Sequence, residues 1–576
     1  MAMERLEAKK VNGHTYYYYS EWGWQDGKCR RIWQKYLGKP KDIAAAVLGG
    51  GPVPLYAEVF QWGLPSALWK EVVRARVVEE IDALCPKRDQ GLTTGQYMAV
   101  AATNRAIRPK SKRSMWEWFS QTTLLRFLPL ASKAALGSQR FYDHMERVDA
   151  DTAMSIWKRI LANVVKTEDI DLSSISYDGT NFYTFIDTFN VRCEIAKRGK
   201  NKQGRSNLRQ ISYALFCASD GHTPLYYDVY EGNRNDAKEF PEILKRFQGF
   251  LGELSEASCP VQKTTIIFDK GNNSKENFAL LDALGVGFVG SVKLDEHKDL
   301  VEIRNDDPRF QSYPELEGTR GFRVEKEVYG KQRTLVLTFN QNLYDAQWLT
   351  VQTDLANAME KLSALRQKLE DRAAGIITRG KCPSSESVER QYKDILSRQH
   401  MKRLIKIEVS KSSDEIPRLS YEVDAEAFQV LAETFLGKTI LITNRKDWEE
   451  TSIISAYRSQ FIIEDVFKEM KDRQTGNWWP LHHWTDSKIR VHALYCTIAL
   501  LLRALALRRV RRGGLNLSMP RFLAELDTIR EVINIFPKKR GKNGTRQQTV
   551  LTKTSELQDR LLTILGLSKE KIEDLG

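Results

Sequence analysis

The run Thr264-Thr265-Ile266-Ile267-Phe268 closes on Asp269-Lys270-Gly271. It is apolar and β-branched almost throughout, the mark of a strand buried on both faces. Residues 274–284 then read as a helix and residues 286–292 as a second buried strand. Upstream, residues 175–186 alternate like strands. Residues 211–218 and 225–230 follow as strands around the turn Asp220-Gly221, and residues 235–250 are helical. Three strands, helix, strand, helix, strand is the order of an α/β domain.

Further out the pattern changes. Residues 294–437 interrupt the α/β order with a β-rich piece at 322–339 and a long helix over about 348–372. In that helix Leu355, Leu362 and Leu369 recur every seven residues, with Ala358 and Leu365 between them. This is a short coiled-coil seam, to be covered either by the helical pattern at 388–404 or by a second chain. Residues 439–443 return to a buried strand, and a helix is expected from about 448 to 472. At the other end, Tyr16 to Tyr19, the turn dipeptide Asp26-Gly27 and the return strand 31–37 read as a β-hairpin. Gly49-Gly50-Gly51-Pro52 reads as a linker, and residues 56–161 as helices broken at Pro86, Pro109 and Pro129.

With 576 residues, 42% of them hydrophobic, the chain is too long for one core and needs several domains. The net charge of +14 fits a polyanionic partner, and equally a soluble protein that is merely basic. Seven scattered cysteines form no Cys-x-x-Cys pair, which fits a reducing cytosol and argues against a zinc site. The first ten residues lack the apolar core of a signal peptide, and the longest apolar run, 493–502, is too short to cross a bilayer. A cytoplasmic protein without a membrane partner is expected.

Two aspartates stand where strands are expected to meet turns: Asp178, in Ile175-Ser176-Tyr177-Asp178-Gly179-Thr180, and Asp269. An ionised carboxylate at the edge of a buried strand is costly unless solvated, paired or bound to a cation. Such an aspartate is also ordinary in an αβ turn. In the helix expected at 448–472, Tyr457, Gln460, Glu464 and Lys471 lie at offsets −7, −4, 0 and +7 from the glutamate. Seven positions return to within about 20° on a helix, so the four form one stripe, with Ile462, Ile463 and Phe467 free to bury the other side. The stripe could set a metal ligand between two phosphate-contacting groups. An amphipathic helix with a solvated face gives the same pattern.

Taken together, these motifs resemble the DD(E) transposases of the insertion-sequence-four superfamily, in particular its long-chain branch. The resemblance is carried by Tyr177-Asp178-Gly179-Thr180, the block from Arg209-Gln210 to Ser219, Asp220-Gly221 and Gly232-Asn233. It continues through Phe268-Asp269-Lys270-Gly271 and Tyr457-Arg458 with Phe461, Glu464, Phe467 and Lys471. The family signature Tyr-x2-Arg-x3-Glu-x6-Lys is matched at Tyr457, Glu464 and Lys471 and departs where Gln460 stands, with Arg458 two residues away. Pro480-Leu481-His482-His483-Trp484, residues 489–492, Leu37-Gly38-Lys39 and residues 104–118 are also similar, so the resemblance covers most of residues 9–507.

The resemblance implies a ribonuclease-H-like mixed sheet split by a mixed α+β insertion. On that expectation the chain divides into an N-terminal hairpin (1–48), a helical DNA-binding domain (49–165), the core (166–293 and 438–500), the insertion (294–437) and a helical, basic C-terminal region (501–576). Asp178, Asp269 and Glu464 would be catalytic and would share two Mg2+ ions roughly 3.5–4 Å apart, with Mn2+ able to substitute. The implied partner is double-stranded DNA, as element terminal repeats and as target. A dimer on DNA in a prokaryotic nucleoid is the expected assembly. Tyr457 and Lys471 would meet phosphates, with Arg458 or Gln460 in place of the signature Arg.

Basic stretches beside these motifs are candidates for DNA. They are Arg198, Lys200, Arg205 and Arg209 next to the first strand, and Arg108, Lys110, Lys112 and Arg113 leading into Trp116 and Trp118. A solvated charged face is the alternative for each. For residues 503–512 and 537–546 the two readings stay level. Trp348 is a candidate, by location only, for holding a flipped base; core packing is its other reading. Two further functional readings remain beside an active transposase: a transposase-derived DNA-binding regulator without catalysis, and a ribonuclease-H-like nuclease.

Overall fold

A computed structural model describes residues 3–25, 27–48, 53–86, 91–199, 204, 207–254, 264–410, 416–472, 476–537 and 546–567. The chain forms two compact units: one of Glu71–Met115 with Ser132–Arg509, the other of Met1–Lys70, Trp116–Ala131 and Val510–Gly576.

The larger unit is built on a ten-stranded mixed sheet. Its strands are β1 (Ser174–Tyr183), β2 (Lys197–Arg198), β3 (Arg209–Ala218), β4 (Pro224–Glu231), β5 (Thr265–Phe268), β6 (Gly287–Val292), β7 (Gln311–Ser312), β8 (Thr319–Val328), β9 (Lys331–Asn340) and β10 (Lys438–Thr443). The order is β7-β8-β9-β10-β6-β5-β1-β3-β2, with β4 also on β3. Strand β5 runs parallel to both neighbours and all four of its residues are buried, as its β-branched composition predicts. The helices that matter below are α1 (Thr94–Ile107), α2 (Ser138–Met145), α3 (Asp236–Leu254), α4 (Gln341–Ala373), α5 (Glu450–Arg458), α6 (Phe461–Lys471) and α7 (Asp486–Arg512). Helix α3 covers one face, where Phe247 stacks on Phe216 with ring centroids 3.8 Å apart.

The region expected to stand apart as an insertion does so only in part. Strands β8 and β9 join the main sheet, because β9 pairs with β10 from Thr334↔Thr443 to Phe339↔Lys438. The remainder gathers a core of its own. Val351, Ala358, Leu362, Leu365 and Leu369 of α4 are buried against Val388, Leu396, Met401 and Leu404. The heptad seam is therefore covered from within the chain, and each buried leucine contributes about 1.5–3 kcal/mol. Trp348 lies beside this core, with ring centroids 6.0 Å from Tyr344 and 5.0 Å from Phe428.

In the smaller unit two expectations need correction. The N-terminal hairpin is a three-stranded antiparallel sheet, Met3–Val11, His14–Gln25 and Lys28–Gly38. Its first turn is Asn12-Gly13, with φ of 50° and 76°. That dipeptide is a strong hairpin signal. The C-terminal region is not wholly helical. Arg530–Phe536 pairs with Arg546–Leu551 on one side and with Tyr56–Gln61, expected to be helical, on the other. Val532, Ile533, Ile535 and Phe536 give that strand its propensity. Arg126 and the fully buried side chain of Glu531 form an ion pair at 2.5 Å within this unit.

By length and composition α7 could cross a membrane, but 94% of its most apolar stretch is buried inside the protein, as befits a core helix.

Candidate active site

Strands β1 and β5 are parallel and paired from Ser174↔Thr265 to Tyr177↔Phe268. The rings of Tyr177 and Phe268 lie on one face, 4.9 and 5.4 Å from Phe240 of α3. The next residue on each strand is an aspartate, and alternation turns both toward the opposite face. Asp178 and Asp269 are thus neighbours at one level of the sheet. Asp269 closes its strand as expected, but Asp178 is in mid-strand, opposite Leu215 of β3. What ends there is its neighbour: β5 stops at Phe268, so its pairing with β1 ends at Tyr177. The step leaves both carboxylates half-exposed, each with Oδ1 accepting the next backbone N–H, Gly179 at 2.8 Å and Lys270 at 2.7 Å.

The helix expected at 448–472 is two helices, α5 and α6, divided at Ser459-Gln460. The junction tightens to three-residue spacing: Gln460 N donates to Tyr457 O at 3.0 Å, and Ile462 N to Ser459 O at 3.0 Å. The change of twist removes Gln460 from the predicted stripe; its side chain is only 7% exposed. Gln460 therefore does not offer a DNA contact in place of the signature Arg. Arg458 is exposed and donates to Thr319 Oγ1.

Glu464, in the first turn of α6, is exposed. Tyr457 stands within the electrostatic reach of both Glu464 and Asp269. The Tyr457 hydroxyl donates to Ser291 Oγ of β6 at 2.8 Å. Its pKa is raised by burial first and then by the negative charges of Asp269 and Glu464, partly offset by the Ser291 bond. One hydroxyl thus senses both carboxylates. At the far end of α6, Lys471 Nζ donates to Thr180 Oγ1 of β1 and lies 5.6 Å from the Phe182 ring centroid. Thr180 follows Asp178 by two positions on the same strand face, so α6 lies along β1 with Glu464 between its Tyr and Lys neighbours. Among the described residues no three His, Cys, Asp or Glu groups are drawn together tightly enough to enclose a metal ion. Asp178 and Asp269 share one level of the sheet and Glu464 lies on the helix that Lys471 anchors to β1, but the three are not closed into a ligand set. Their hard oxygen donors and accessible positions nevertheless suit a divalent cation of the Mg2+ class.

Residues 170–502, more than half the chain, match the Transposase DDE domain family. The chain belongs to that family. No curated protein matches the transposase. Among solved structures it is similar to one described as a cryo-EM structure of piggyBac transposase synaptic complex with hairpin DNA, at 10% identity and a TM-score of 0.36 over 80% of this chain and 79% of that one. It is also similar to the Mos1 transposase paired-end complex with left transposon end, at 9% identity and a TM-score of 0.15 over 35% and 59%.

The basic residues of the transposase fall into two groups. Arg108, Arg113 and Arg198 are exposed and Lys110 is half-exposed, all open to a partner; Arg198 also donates to Thr188 Oγ1 at 2.9 Å. Lys200 and Arg205 lie outside the described residues. Two expected phosphate contacts need correction. The Arg209 guanidinium is spent on loop carbonyls, those of Ala196 at 2.6 Å, Asp187 at 3.0 Å, Asn190 at 2.9 Å and Cys193, so it pins residues 187–196. Lys112 is only 6% exposed and sits under Tyr495, 4.1 Å from the ring centroid.

In the stretch 503–512, Arg503, Arg508 and Arg509 are likewise structural. They pair with Glu469, Asp220 and Glu168, respectively. Sequence reasoning also missed a cavity of about 380 Å3 beside the acidic edge, lined in part by Glu317, Thr319, Asn340, Leu343, Tyr457 and Arg458. Its only signal was Thr319 and Asn340 at the ends of apolar strands.

Proposed function

We propose that the chain is a cut-and-paste DNA transposase of a prokaryotic insertion sequence, from the long-chain branch of the insertion-sequence-four superfamily, acting as a dimer on DNA in the nucleoid. The observation that carries this reading is the register that makes Asp178 and Asp269 neighbours, with Glu464 on the helix that Lys471 anchors along β1. The sheet would then be ribonuclease-H-like, with Asp178, Asp269 and Glu464 holding two Mg2+ ions, or Mn2+ in their place. Bound there, divalent ions would lower the cost of developing charge on attacking and leaving oxygens during phosphodiester cleavage and end joining.

The chain's own residues have separable tasks. Asp178 and Asp269 are oriented by the backbone N–H groups that they accept. The step at the end of β5 keeps them open to a DNA strand. Tyr457, anchored on Ser291, fixes the start of α6, and Lys471, anchored on Thr180, fixes its end. Both side chains lie beside the acidic edge, where they can meet the phosphates flanking the cleaved bond. Arg458 stands closest to the role of the signature Arg, and Arg108, Lys110, Arg113 and Arg198 supply accessible charge for the terminal repeat and target DNA.

The test is a supercoiled plasmid carrying the element's paired ends, incubated with purified protein and Mg2+, Mn2+ or a chelator. Excised linear element and joined product in the two metal arms alone are expected. Tight end binding without cleavage in either metal would refute the enzyme reading and leave a DNA-binding regulator.

A further inference from the structure

The larger unit holds a second concentration of charge that the acidic edge does not use. A cavity of about 310 Å3 is lined by Arg105, Lys112, Arg113, Tyr142, His482 and His483, together with Ser111, Ser138 and Pro480. Among the described residues no carboxylate lines it. Its volume is at the lower end of small-ligand sites, which run from about 300 to 1,000 Å3.

Three of its basic groups are buried and incompletely satisfied. Lys112 Nζ has no hydrogen-bond partner; it faces only the rings of Tyr495 and Phe141, at 4.1 and 5.3 Å. Arg105 is 2% exposed and donates to the carbonyls of Trp478 and Pro480 at 3.2 and 2.9 Å, while its Nε has no partner. His483 is 5% exposed. The order of bonds around it fixes its tautomer. The carbonyl of Trp478 accepts from His492 Nε2 at 2.9 Å, so His492 Nδ1 accepts from the Tyr495 hydroxyl at 2.5 Å. The hydroxyl oxygen then accepts from His483 Nε2 at 3.2 Å, which leaves His483 Nδ1 unpartnered.

Among the described residues lining the cavity no acidic group compensates Lys112 and Arg105. Burial depresses the Lys112 ammonium well below its usual range, and Arg105 depresses it further. His483 is pushed the same way by burial and then by Lys112, Arg105, His482 and Lys488. Lys488 is itself paired with Glu146 at 2.6 Å. Rings attract a cation but do not replace a counter-charge, and buried charges are normally paired. The site is complete only with an anion inside it. The donors exceed what one carboxylate can accept: an ammonium, two guanidinium groups and the Ser111 and Ser138 hydroxyls. Ser138 is also the first residue of α2, so that helix begins at the cavity and adds its favourable dipole. A phosphate, with more acceptor oxygens and up to two negative charges, matches the set.

We propose that the Arg105–Lys112–His483 cavity is a binding site for a phosphate group. The inference does not depend on the transposition chemistry, since it uses neither the acidic edge nor a metal. It assigns Lys112 to a covered phosphate site rather than to the exposed face that holds DNA.

The experiment is thermal unfolding of the full chain with increasing inorganic phosphate, at ionic strength held constant with chloride. Wild type should gain melting temperature with phosphate, following mass action. Lys112→Met keeps an apolar stem of similar length. It should melt higher than wild type without phosphate, since an uncompensated buried cation is gone, and gain nothing when phosphate is added. Arg113→Gln, at an exposed wall position, should fold normally and need about tenfold more phosphate for the same rise, the usual cost of one charged hydrogen bond. Wild type that responds no more to phosphate than to chloride, or Lys112→Met that responds like wild type, would overturn the proposal. Phosphorus NMR of the bound phosphate then identifies the source. Displacement by a short duplex assigns the site to a DNA strand phosphate, and persistence assigns it to a free phosphate or monoester.

Discussion

The acidic edge and the cationic cavity belong to the same unit and treat charge in opposite ways. Asp178 and Asp269 are half-exposed at a step of the sheet, and Glu464 is exposed on α6. Arg105, Lys112 and Arg503 are covered, at 2%, 6% and 0% exposure, and are held by carbonyls, rings or a single carboxylate. At the edge, charge is kept where it can act and contributes little to folding. In the interior, charge is tied to the packing, so a change there is felt as stability. Each region should therefore respond to substitution in the observable to which the other is indifferent.

The largest effect is expected at the edge. Asp269→Asn removes one carboxylate charge from a site that needs a cation, and cleavage should fall by about 10³-fold or more, several kcal/mol of lost transition-state stabilisation. Melting temperature should stay level, because a half-exposed carboxylate contributes little to folding. Cleavage within about tenfold of wild type would break the comparison from this side.

Next comes Arg503→Met. Arg503 donates to the Ala106 carbonyl at 2.8 Å and pairs with Glu469, so its loss leaves both partners short in a covered position. A loss of about 3 kcal/mol is expected in urea unfolding, with the cleavage of the folded fraction unchanged. A loss under about 1 kcal/mol would show that this cation is not structural.

A smaller effect is expected from pH. His483 and His492 are held neutral, burial being the main cause, with pKa values well below the usual 6.5. Above about pH 6.5 neither folded nor unfolded chain protonates them, and their contribution is flat. Below it the unfolded chain takes up protons that the folded chain refuses, so stability falls as pH drops toward the depressed folded values. Each histidine adds up to about 1.4 kcal/mol per pH unit to that slope. Urea unfolding at several pH values between 7.5 and 5 should show a shallower slope for His483→Gln. An unchanged slope would mean that the imidazole is already charged in the fold.

The smallest change is expected at Lys471. Lys471→Ala should reduce the slope of log affinity against log salt for end DNA by about 0.9, the share of one phosphate contact. An unchanged slope with lower melting temperature would make its bond to Thr180 purely structural.

Local signals were legible where they are also sufficient. Strand β5, the helix over Lys275–Ala283, strand β6 and the heptad seam of α4 all follow from periodicity. The three carboxylates were legible as residue types at strands and a helix. The pairing of the two aspartates was not, because the register of β1 on β5 and the step at Phe268 are tertiary facts. The break between α5 and α6 was hidden because Ser459-Gln460 contains neither glycine nor proline. Lys112 and Arg209 looked like surface charge, since a basic residue near aromatics reads the same whether the ring stands beside it or covers it. Asn12-Gly13 and the β-branched run at 532–536, by contrast, were readable and went unread.

The central claim is that three carboxylates on one side of this sheet do chemistry while DNA is held by other residues. Glu464→Gln keeps the side chain's size and removes its charge, so paired measurements on one preparation test the claim most directly. The account predicts end binding within about threefold of wild type and plasmid cleavage lowered by at least about 10³-fold in Mg2+, since ions at the edge act on charge developing in the transition state. Cleavage that survives the substitution, or end binding that collapses with it in a folded protein, would contradict it.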